Sequence, residues 1–159
     1  MDGKRRVLFL CTGNSCRSQM AEAILRHVGG DRFESLSAGS HPAGFIHPLA
    51  EAAMTELGIS LAAQLSKSWD EFTDYPVDVV ITVCDAAAGL PCPTFPGNAI
   101  RAHWSLPDPT YHPGTIPERI EFAIRIARRL LAKIEGLTRI DWTQPRTAIE
   151  QQLAFLGEI

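Results

Sequence analysis

The sequence contains no long apolar run, no excess of positive charge and few aromatic side chains. Aromatic residues make up 8% of the 159 positions, and the formal net charge is −3. A general basic field that would recruit nucleic acid is therefore excluded, so an anion has to be bound by a local arrangement. No stretch approaches the ~20 apolar residues of a membrane-spanning helix. Neither a nucleic-acid nor a membrane partner is expected.

The amino terminus lacks the pattern of a secretion signal. The apolar run at residues 7–10 follows a basic start, but it is shorter than the roughly 7–15 residues of a signal core. We therefore expect a cytoplasmic protein, in a compartment where lasting disulfides are rare. The four cysteines then indicate catalysis, metal binding or burial rather than a disulfide framework.

Short apolar runs alternate with segments of helical spacing. Residues 7–10, 33–38 and 77–83 have the composition of strands, and residues 99–104 are a weaker candidate. Between and after them, helical patterns begin at the residues that follow the first run, at Pro48 and at Ile116. This alternation predicts an α/β fold with a mostly parallel sheet.

The last part of the chain is predicted to be an addition to a single domain. We assign residues 1–137 to the domain and residues 138–159 to a C-terminal helical extension. Thr143 is suited to cap a helix that starts near Pro145. Ile149, Leu153 and Leu156 then share one face. This helix is expected to pack on the domain, although a contact with a partner remains an alternative.

Residues 11–18 form the most informative segment, because they lie between a predicted strand and a predicted helix. A loop that leads into a helix directs backbone N–H groups inward, and the helix dipole favours negative charge. The segment therefore predicts an oxyanion cradle. Its expected oxyanion-binding residues are Thr12, Gly13, Asn14, Ser15, Cys16, Arg17 and Ser18.

Individual residues of this segment have separate predicted roles. Gly13 and Asn14 both tolerate left-handed backbone angles, which such a tight cradle needs. Arg17 offers a planar fork to two oxygens of a tetrahedral oxyanion. Cys11 lies at the base of the cradle, where the donors are expected to lower its pKa and keep it a thiolate nucleophile. Ser18 can donate to that sulfur, whereas the side chain of Cys16 is interpreted as structural and directed to the core.

Several motifs of this chain match one known family. The segment 11–22, Cys-Thr-Gly-Asn-Ser-Cys-Arg-Ser-Gln-Met-Ala-Glu, resembles the arsenate reductases built on the low-molecular-weight tyrosine phosphatase fold. The resemblance covers residues 5–136 and implies a three-layer α/β/α fold around a mostly parallel four-stranded sheet. Gln19, where the phosphatases typically carry proline, is similar to the reductase branch. Further matches are Ser37-Ala38-Gly39, Val83-Cys84-Asp85, Cys92-Pro93, His103-Trp104 and Asp108-Pro109.

A second pair of cysteines distinguishes a reductase from a phosphatase. Cys84 ends one predicted strand as Cys11 ends another, and parallel strands end at the same edge of a sheet. Cys84 is therefore expected to reach Cys11. Cys92 lies eight positions further along, which is about 12 Å if the link is helical, whereas a disulfide joins Cα atoms about 4.4–6.8 Å apart. We predict that this link is partly helical when reduced and unwinds when oxidised.

The resemblance implies a catalytic set and a mechanism. Cys11 attacks arsenate and forms an arsenic adduct, while Asp108 protonates the departing oxygen and Arg17 binds the anion. Cys84 then releases arsenite by forming a disulfide with Cys11, and Cys92 takes over that disulfide. Thioredoxin is the implied electron donor, and a glutaredoxin or a low-molecular-weight thiol stays open. Phosphate and sulfate are expected to compete with arsenate.

No cofactor and no required metal are predicted. Asn14, Glu22 and Ser37 match positions that help to hold potassium in some relatives of the resembled family. Lys67 stands near the position where those relatives supply an aspartate, and its ammonium would repel a cation. The gaps between the cysteines are longer than the usual spacing of zinc ligands.

Two other functions remain open at this point. The first is a low-molecular-weight protein tyrosine phosphatase, or a phosphatase of small molecules, that hydrolyses phosphomonoesters through a phospho-Cys11 intermediate. In that case Cys84 and Cys92 are incidental or protective. The second is a non-enzymatic oxyanion sensor, which Asp108 makes the weaker alternative. A reductase can retain phosphatase activity, because both reactions begin with the same attack by Cys11.

Overall fold

A computed structural model of the chain describes residues 3–84 and 98–159. From the first strand to the third, strands and helices alternate as the apolar runs predict. Their bounds are β1 Arg5–Cys11, α1 Arg17–Gly29, β2 Phe33–Gly39, α2 Pro48–Leu57, β3 Val79–Thr82, β4 Ile100–His103, α3 Ile116–Thr138 and α4 Arg146–Leu156. None of these helices is long and apolar enough to cross a membrane.

The strands form one sheet in the order β2-β1-β3-β4, and every pair is parallel. Leu10 pairs with Thr82, and Cys11 pairs with Gly39. The carboxyl ends of β1 and β3 therefore meet at one edge, where α/β proteins bind ligands. The predicted α/β fold with a parallel four-stranded sheet is confirmed. β3 and β4 are shorter than residues 77–83 and 99–104, because the ladder stops where the chain turns into loops.

Two apolar clusters cover the two faces of the sheet. Val7 and Phe9 point into the larger cluster, which contains the apolar faces of the helices. Leu8 and Leu10 point into a smaller cluster on the other face, with Trp69 among its members. Successive side chains of a strand point to opposite faces, so a strand that is buried on both sides is a continuous apolar run.

The predicted helix at Pro48 begins and ends as expected. Pro48 is the first helical residue, and the side chain of His47 accepts a hydrogen bond from the N–H of Leu49. Gly58 ends the helix with a φ of 71° and returns its N–H to Met54 and Thr55. A proline at the first helical position and a left-handed glycine just after the last one are common start and stop signals of a helix.

The predicted helix near Pro145 is present, but the predicted cap is wrong. Helix α4 begins at Arg146 with no side-chain cap. The hydroxyl of Thr143 instead donates to the Asp141 carboxylate over 2.6 Å, in a turn before the helix. Ile149 and Leu153 belong to the larger apolar cluster. The division between residues 1–137 and 138–159 stays a prediction.

Replacing Gly58 by alanine should lower the free energy of unfolding by about 1 kcal/mol, because an L-residue is strained in the left-handed region. The added methyl group meets nothing within 4 Å, so the effect is conformational rather than steric. Urea unfolding of the wild type and of Gly58→Ala measures it. An unchanged midpoint would contradict the positive φ at this position.

Candidate active site

A cavity of about 690 Å³ opens at the carboxyl edge of the sheet. Its walls include Cys11 at the end of β1, Arg17 at the start of α1, Cys84 after β3 and Asp108 in the loop after β4. The structure thus brings four of the five predicted catalytic residues to one cavity. Cys92, the fifth, lies outside the described residues.

The backbone of residues 11–16 is held with its carbonyl groups outward. Each carbonyl in this stretch accepts a hydrogen bond from a group outside the cradle, mostly from the backbone of the segment 40–47. Because a peptide's N–H lies opposite its C=O, the N–H groups are left to face the cavity. The donors, in order of the carbonyls, are the N–H groups of Ser40, His41 and Ala43, the side chain of Gln19, and the N–H groups of His47 and Met20.

Asn14 holds the middle of the cradle from behind. It is completely buried and has a φ of 47°. Its Oδ1 accepts from the N–H of Lys67 over 2.9 Å and from Gln19 Nε2 over 3.0 Å. Because a backbone N–H can only donate, these contacts fix the orientation of the amide. The predicted need for left-handed angles holds for Asn14 and is wrong for Gly13, which is not among the residues with positive φ.

The orientation of Asn14 determines the direction of the hydrogen bonds around the nucleophile. Asn14 Nδ2 donates to Ser37 Oγ over 2.9 Å and to Ser18 Oγ over 2.8 Å. Ser37 in turn donates to Glu22 Oε1 over 2.6 Å. Ser18 Oγ lies 2.8 Å from Cys11 Sγ. Because the Ser18 oxygen already accepts from Asn14, its hydroxyl hydrogen is available to donate to the sulfur.

The ammonium of Lys67 lies beside this network, 3.7 Å from Glu22 Oε1. It offers the buried carboxylate a positive charge within the protein itself. Among residues 3–84 and 98–159, no group of three or more His, Cys, Asp or Glu side chains is arranged to hold a metal ion. That no metal is required stays a prediction.

Burial and hydrogen bonding oppose each other at Cys11. Burial raises the pKa of the Cys11 thiol, while the hydrogen bonds of Ser18, the charge of Arg17 and the N–H of Asn14 lower it. The net direction is upward, so the expectation of a lowered pKa for Cys11 is wrong. The sequence identifies the donors but does not show how completely the sulfur is removed from water.

Arg17 and Asp108 are paired with each other in this structure. Arg17 donates to the carbonyl of Leu106 over 2.8 Å and to Asp108 Oδ2 over 3.2 Å. The other oxygen of Asp108 accepts from the N–H and the hydroxyl of Thr110. The guanidinium fork is therefore directed at the loop that carries the carboxyl group, and it lies in the wall of the cavity rather than at its centre.

The remaining sulfurs differ in their surroundings. Cys84 is buried, and its Sγ lies 3.5 Å from the hydroxyl of Thr12 in the cradle. Cys16 is also buried and belongs to the larger apolar cluster. Burial, together with the charge of Asp108, raises the pKa of Cys16 to about 12. A thiol with that pKa is a poor nucleophile at neutral pH, which is in line with the predicted structural role.

This site and fold match known proteins along most of the chain. The family model of low molecular weight phosphotyrosine protein phosphatases matches residues 6–138. The chain belongs to this family. An arsenate reductase of Halalkalibacterium halodurans is 42% identical over 116 residues, which span 73% of this chain and 82% of that protein. The resemblance predicted from the sequence is confirmed.

Solved structures lead to the same branch of the family. A structure described as an arsenate reductase in the phosphate binding state is similar with a TM-score of 0.70 and 31% identity, over 84% of this chain and 96% of that one. The thioredoxin-dependent arsenate reductase of Corynebacterium glutamicum has a TM-score of 0.58 and 35% identity, over 83% of this chain and 62% of that one.

Sequence reasoning missed two supports of the family's anion loop. A Cβ atom on Gly39 would lie 2.5 Å from the carbonyl oxygen of Thr12 and 3.0 Å from the N–H nitrogen of Asn14, so only glycine leaves room for the loop. Gln19, which the sequence analysis used only as a mark of the reductase branch, donates a hydrogen bond to the carbonyl of Asn14. The signal for Gly39 was present, since a glycine ends the strand beside β1.

Replacing Ser18 by alanine should raise the pKa of Cys11 further, because the change removes a hydrogen bond that favours the thiolate. A group with a raised pKa is a thiolate only at higher pH. At a fixed neutral pH, iodoacetamide should therefore alkylate Cys11 about tenfold more slowly in Ser18→Ala, as expected for a pKa shift of about one unit.

Mass spectrometry of the Cys11 peptide across a pH series measures this rate. The pH-rate curve of the variant should lie to the alkaline side of the wild-type curve, and both should reach the same plateau. Identical curves would contradict the assignment of Ser18 as the donor.

Replacing Gly39 by alanine should weaken phosphate binding by at least about tenfold, because the methyl group displaces the loop backbone. Isothermal titration with inorganic phosphate measures the affinity. Gly58→Ala is the matched control, since it also adds one methyl group at a glycine but far from the loop. Equal phosphate affinities of Gly39→Ala and the wild type would show that the loop does not need this close approach.

Proposed function

We propose that this chain is an arsenate reductase that converts arsenate to arsenite with electrons from its own cysteines. The observation that carries the proposal is that Cys84, from outside the loop of residues 11–18, lines the same cavity as Cys11 and Cys16, and that all three thiols are buried. A phosphatase needs one nucleophilic sulfur, whereas the reduction of arsenic(V) to arsenic(III) takes two electrons. Two thiols that join in a disulfide supply them.

The first step uses groups that meet in the cavity. Arsenate enters the cradle, and Arg17 turns from Asp108 to two oxygens of the anion. The thiolate of Cys11 attacks arsenic, and a hydroxyl group leaves as water after it takes a proton from Asp108. The N–H groups of residues 12–17, which lie opposite the carbonyls of residues 11–16, neutralise the remaining charge. The product is a Cys11–arsenic(V) adduct.

The second step transfers the electrons. The thiolate of Cys84 attacks the sulfur of Cys11, the sulfur–arsenic bond breaks, and its electron pair leaves with arsenite. The hydroxyl of Thr12, 3.5 Å from Cys84 Sγ, can stabilise the attacking thiolate by donating a hydrogen bond. A Cys11–Cys84 disulfide remains.

The third step returns the active site to its reduced form. Cys92 attacks Cys84, so the disulfide moves to the Cys84–Cys92 pair and Cys11 is released. We assign the reduction of that disulfide to thioredoxin in the cytoplasm, by analogy with the Corynebacterium glutamicum protein, whose name states thioredoxin dependence. Glutaredoxin or a low-molecular-weight thiol is the alternative donor.

Hydrolysis of phosphomonoesters is a second activity that the site supports. Cys11, Arg17 and Asp108 suffice for attack on a phosphate ester, protonation of the leaving group and hydrolysis of the phospho-cysteine. Tyr111, which is 86% exposed, lies at the wall of the same cavity and offers a ring to an aryl ester. We expect this activity as a side reaction.

The reductase assignment is tested by arsenate-dependent oxidation of NADPH in the presence of thioredoxin and thioredoxin reductase. The wild type should turn over repeatedly. Cys84→Ser should release no arsenite, because it lacks the thiol that attacks the sulfur of Cys11 in the proposed second step. Cys92→Ser should stop after one arsenite per molecule, because its disulfide stays buried at Cys11. Arsenite release and NADPH consumption are measured together.

Hydrolysis of 4-nitrophenyl phosphate is the internal control for the same variants. Both serine variants should keep the wild-type rate, since the ester reaction uses neither Cys84 nor Cys92. Repeated arsenate turnover by Cys92→Ser would contradict the three-cysteine relay. Ester hydrolysis by the wild type without any arsenate turnover would favour the phosphatase.

A further inference from the structure

Helix α4, Arg146–Leu156, lies beyond the 6–138 match of the family model and is joined to both ends of the edge strand β4. The guanidinium of Arg146 donates to the carbonyls of Asn98 and Ala99, over 2.7 and 2.9 Å, just before the strand. At the other end, the indole N–H of Trp104 donates to the carbonyl of Leu153 over 2.8 Å. Among the described strands, β4 pairs only with β3, so these contacts with α4 hold β4 from a second element.

Trp104 connects this helix to the loop that carries Asp108. Its side chain has no solvent exposure and packs on Phe9, with ring centroids 6.3 Å apart. Two residues further along, Leu106 is also buried, and its carbonyl accepts from Arg17. The chain from Trp104 to Asp108 is therefore short, and it is held at Trp104 and at Leu106.

The end of α4 is held tightly against Trp104. A Cβ atom on Gly157 would lie 2.7 Å from Trp104 Cδ1 and 3.0 Å from the carbonyl oxygen of His103. From α3, the fully buried Lys133 donates to three carbonyls at the end of α4, those of Leu156, Gly157 and Ile159, over 3.1, 3.0 and 2.7 Å. An ammonium at a helix C-terminus is also favoured by the helix dipole.

We propose that α4 is a positioning element for the general acid: by clamping Trp104 through Leu153 and Gly157, it holds the loop that presents Asp108 to the anion. The inference rests on the proposed function, since it takes Asp108 as the acid. Lys133 and Gly157 are positioning residues in this scheme. They touch neither the anion nor the reacting sulfurs.

Gly157→Ala tests the proposal, because Gly157 has a φ of −63° that alanine adopts without backbone strain. The added methyl group therefore acts through its close contacts, of which the closest are with Trp104 and with the carbonyl of His103 next to it. The reduced protein is mixed with saturating arsenate, without thioredoxin, and the loss of two thiols per molecule is followed. The rate constant should fall about tenfold, part of the 10²–10⁴ that general acid catalysis typically contributes. The dissociation constant of inorganic phosphate should change less than about twofold, because the cradle is untouched.

The same change in an Asp108→Asn background separates positioning from loss of stability. If α4 acts through Asp108, the Gly157→Ala rate loss should shrink to less than about twofold there, because the acid is already absent. Gly58→Ala is the matched control for stability. It should leave the rate of thiol loss unchanged in both backgrounds.

Lys133→Met provides a second route to the same result if Gly157→Ala does not fold. It replaces the ammonium by an apolar group of similar length and frees the end of α4. Its rate loss should likewise disappear in the Asp108→Asn background.

Equal rate losses in both backgrounds, or no loss with Gly157→Ala, would overturn this inference and leave the proposed function intact. An unchanged rate for Asp108→Asn alone would overturn the acid assignment, and the inference with it.

Discussion

The site depends on the orientation of a few peptide groups, those of residues 11–16. A loop of this length has no regular hydrogen-bond pattern of its own, so its carbonyls would turn inward or toward water unless something held them. The backbone of residues 40–47 and the side chain of Gln19 fix the orientation of most of these carbonyls by donating hydrogen bonds to them from outside the loop. The outward direction of these carbonyls is therefore a consequence of packing between two segments. Gly39, directly before the second segment, leaves room for the first, because a Cβ atom there would lie 2.5 Å from the carbonyl oxygen of Thr12.

The buried polar residues behind the cradle form a network with a fixed direction. At one end the backbone N–H of Lys67 can only donate, and at the other end the carboxylate of Glu22 accepts. These two groups fix the direction of every hydrogen bond between them. Between them Asn14 has no freedom to flip, and the hydrogen of Ser18 is left for Cys11. Such a network is costly to bury and stays stable only when all of its members are satisfied.

The same site illustrates how burial and charge compete. Removal of Cys11 from water raises its pKa more than the surrounding donors lower it, while Arg17 is occupied by Asp108 and Leu106. An anion that attracted Arg17 would bring the positive charge over the cradle, and this pairing would then be exchanged for one with the ligand. The proposed reaction thus separates the pair of Arg17 and Asp108.

The sequence by itself determined the parallel α/β sheet, the loop between β1 and α1 and the position of Cys84 after a strand, because these follow from local composition and from the rule that parallel strands end at one edge.

At two residues, a local pattern led to the wrong expectation. Thr143 has the chemistry of a cap, yet a nearer partner, Asp141, takes its hydroxyl. Gly13 has the freedom for a left-handed turn, yet Asn14 makes it. The tertiary structure alone decided three further features. These are the raised pKa of Cys11, the pairing of Arg17 with Asp108 and the hydrogen bond between Trp104 and helix α4. Each of these three features depends on contacts between residues that are distant in sequence and on how completely those contacts exclude water. A local sequence pattern contains neither kind of information.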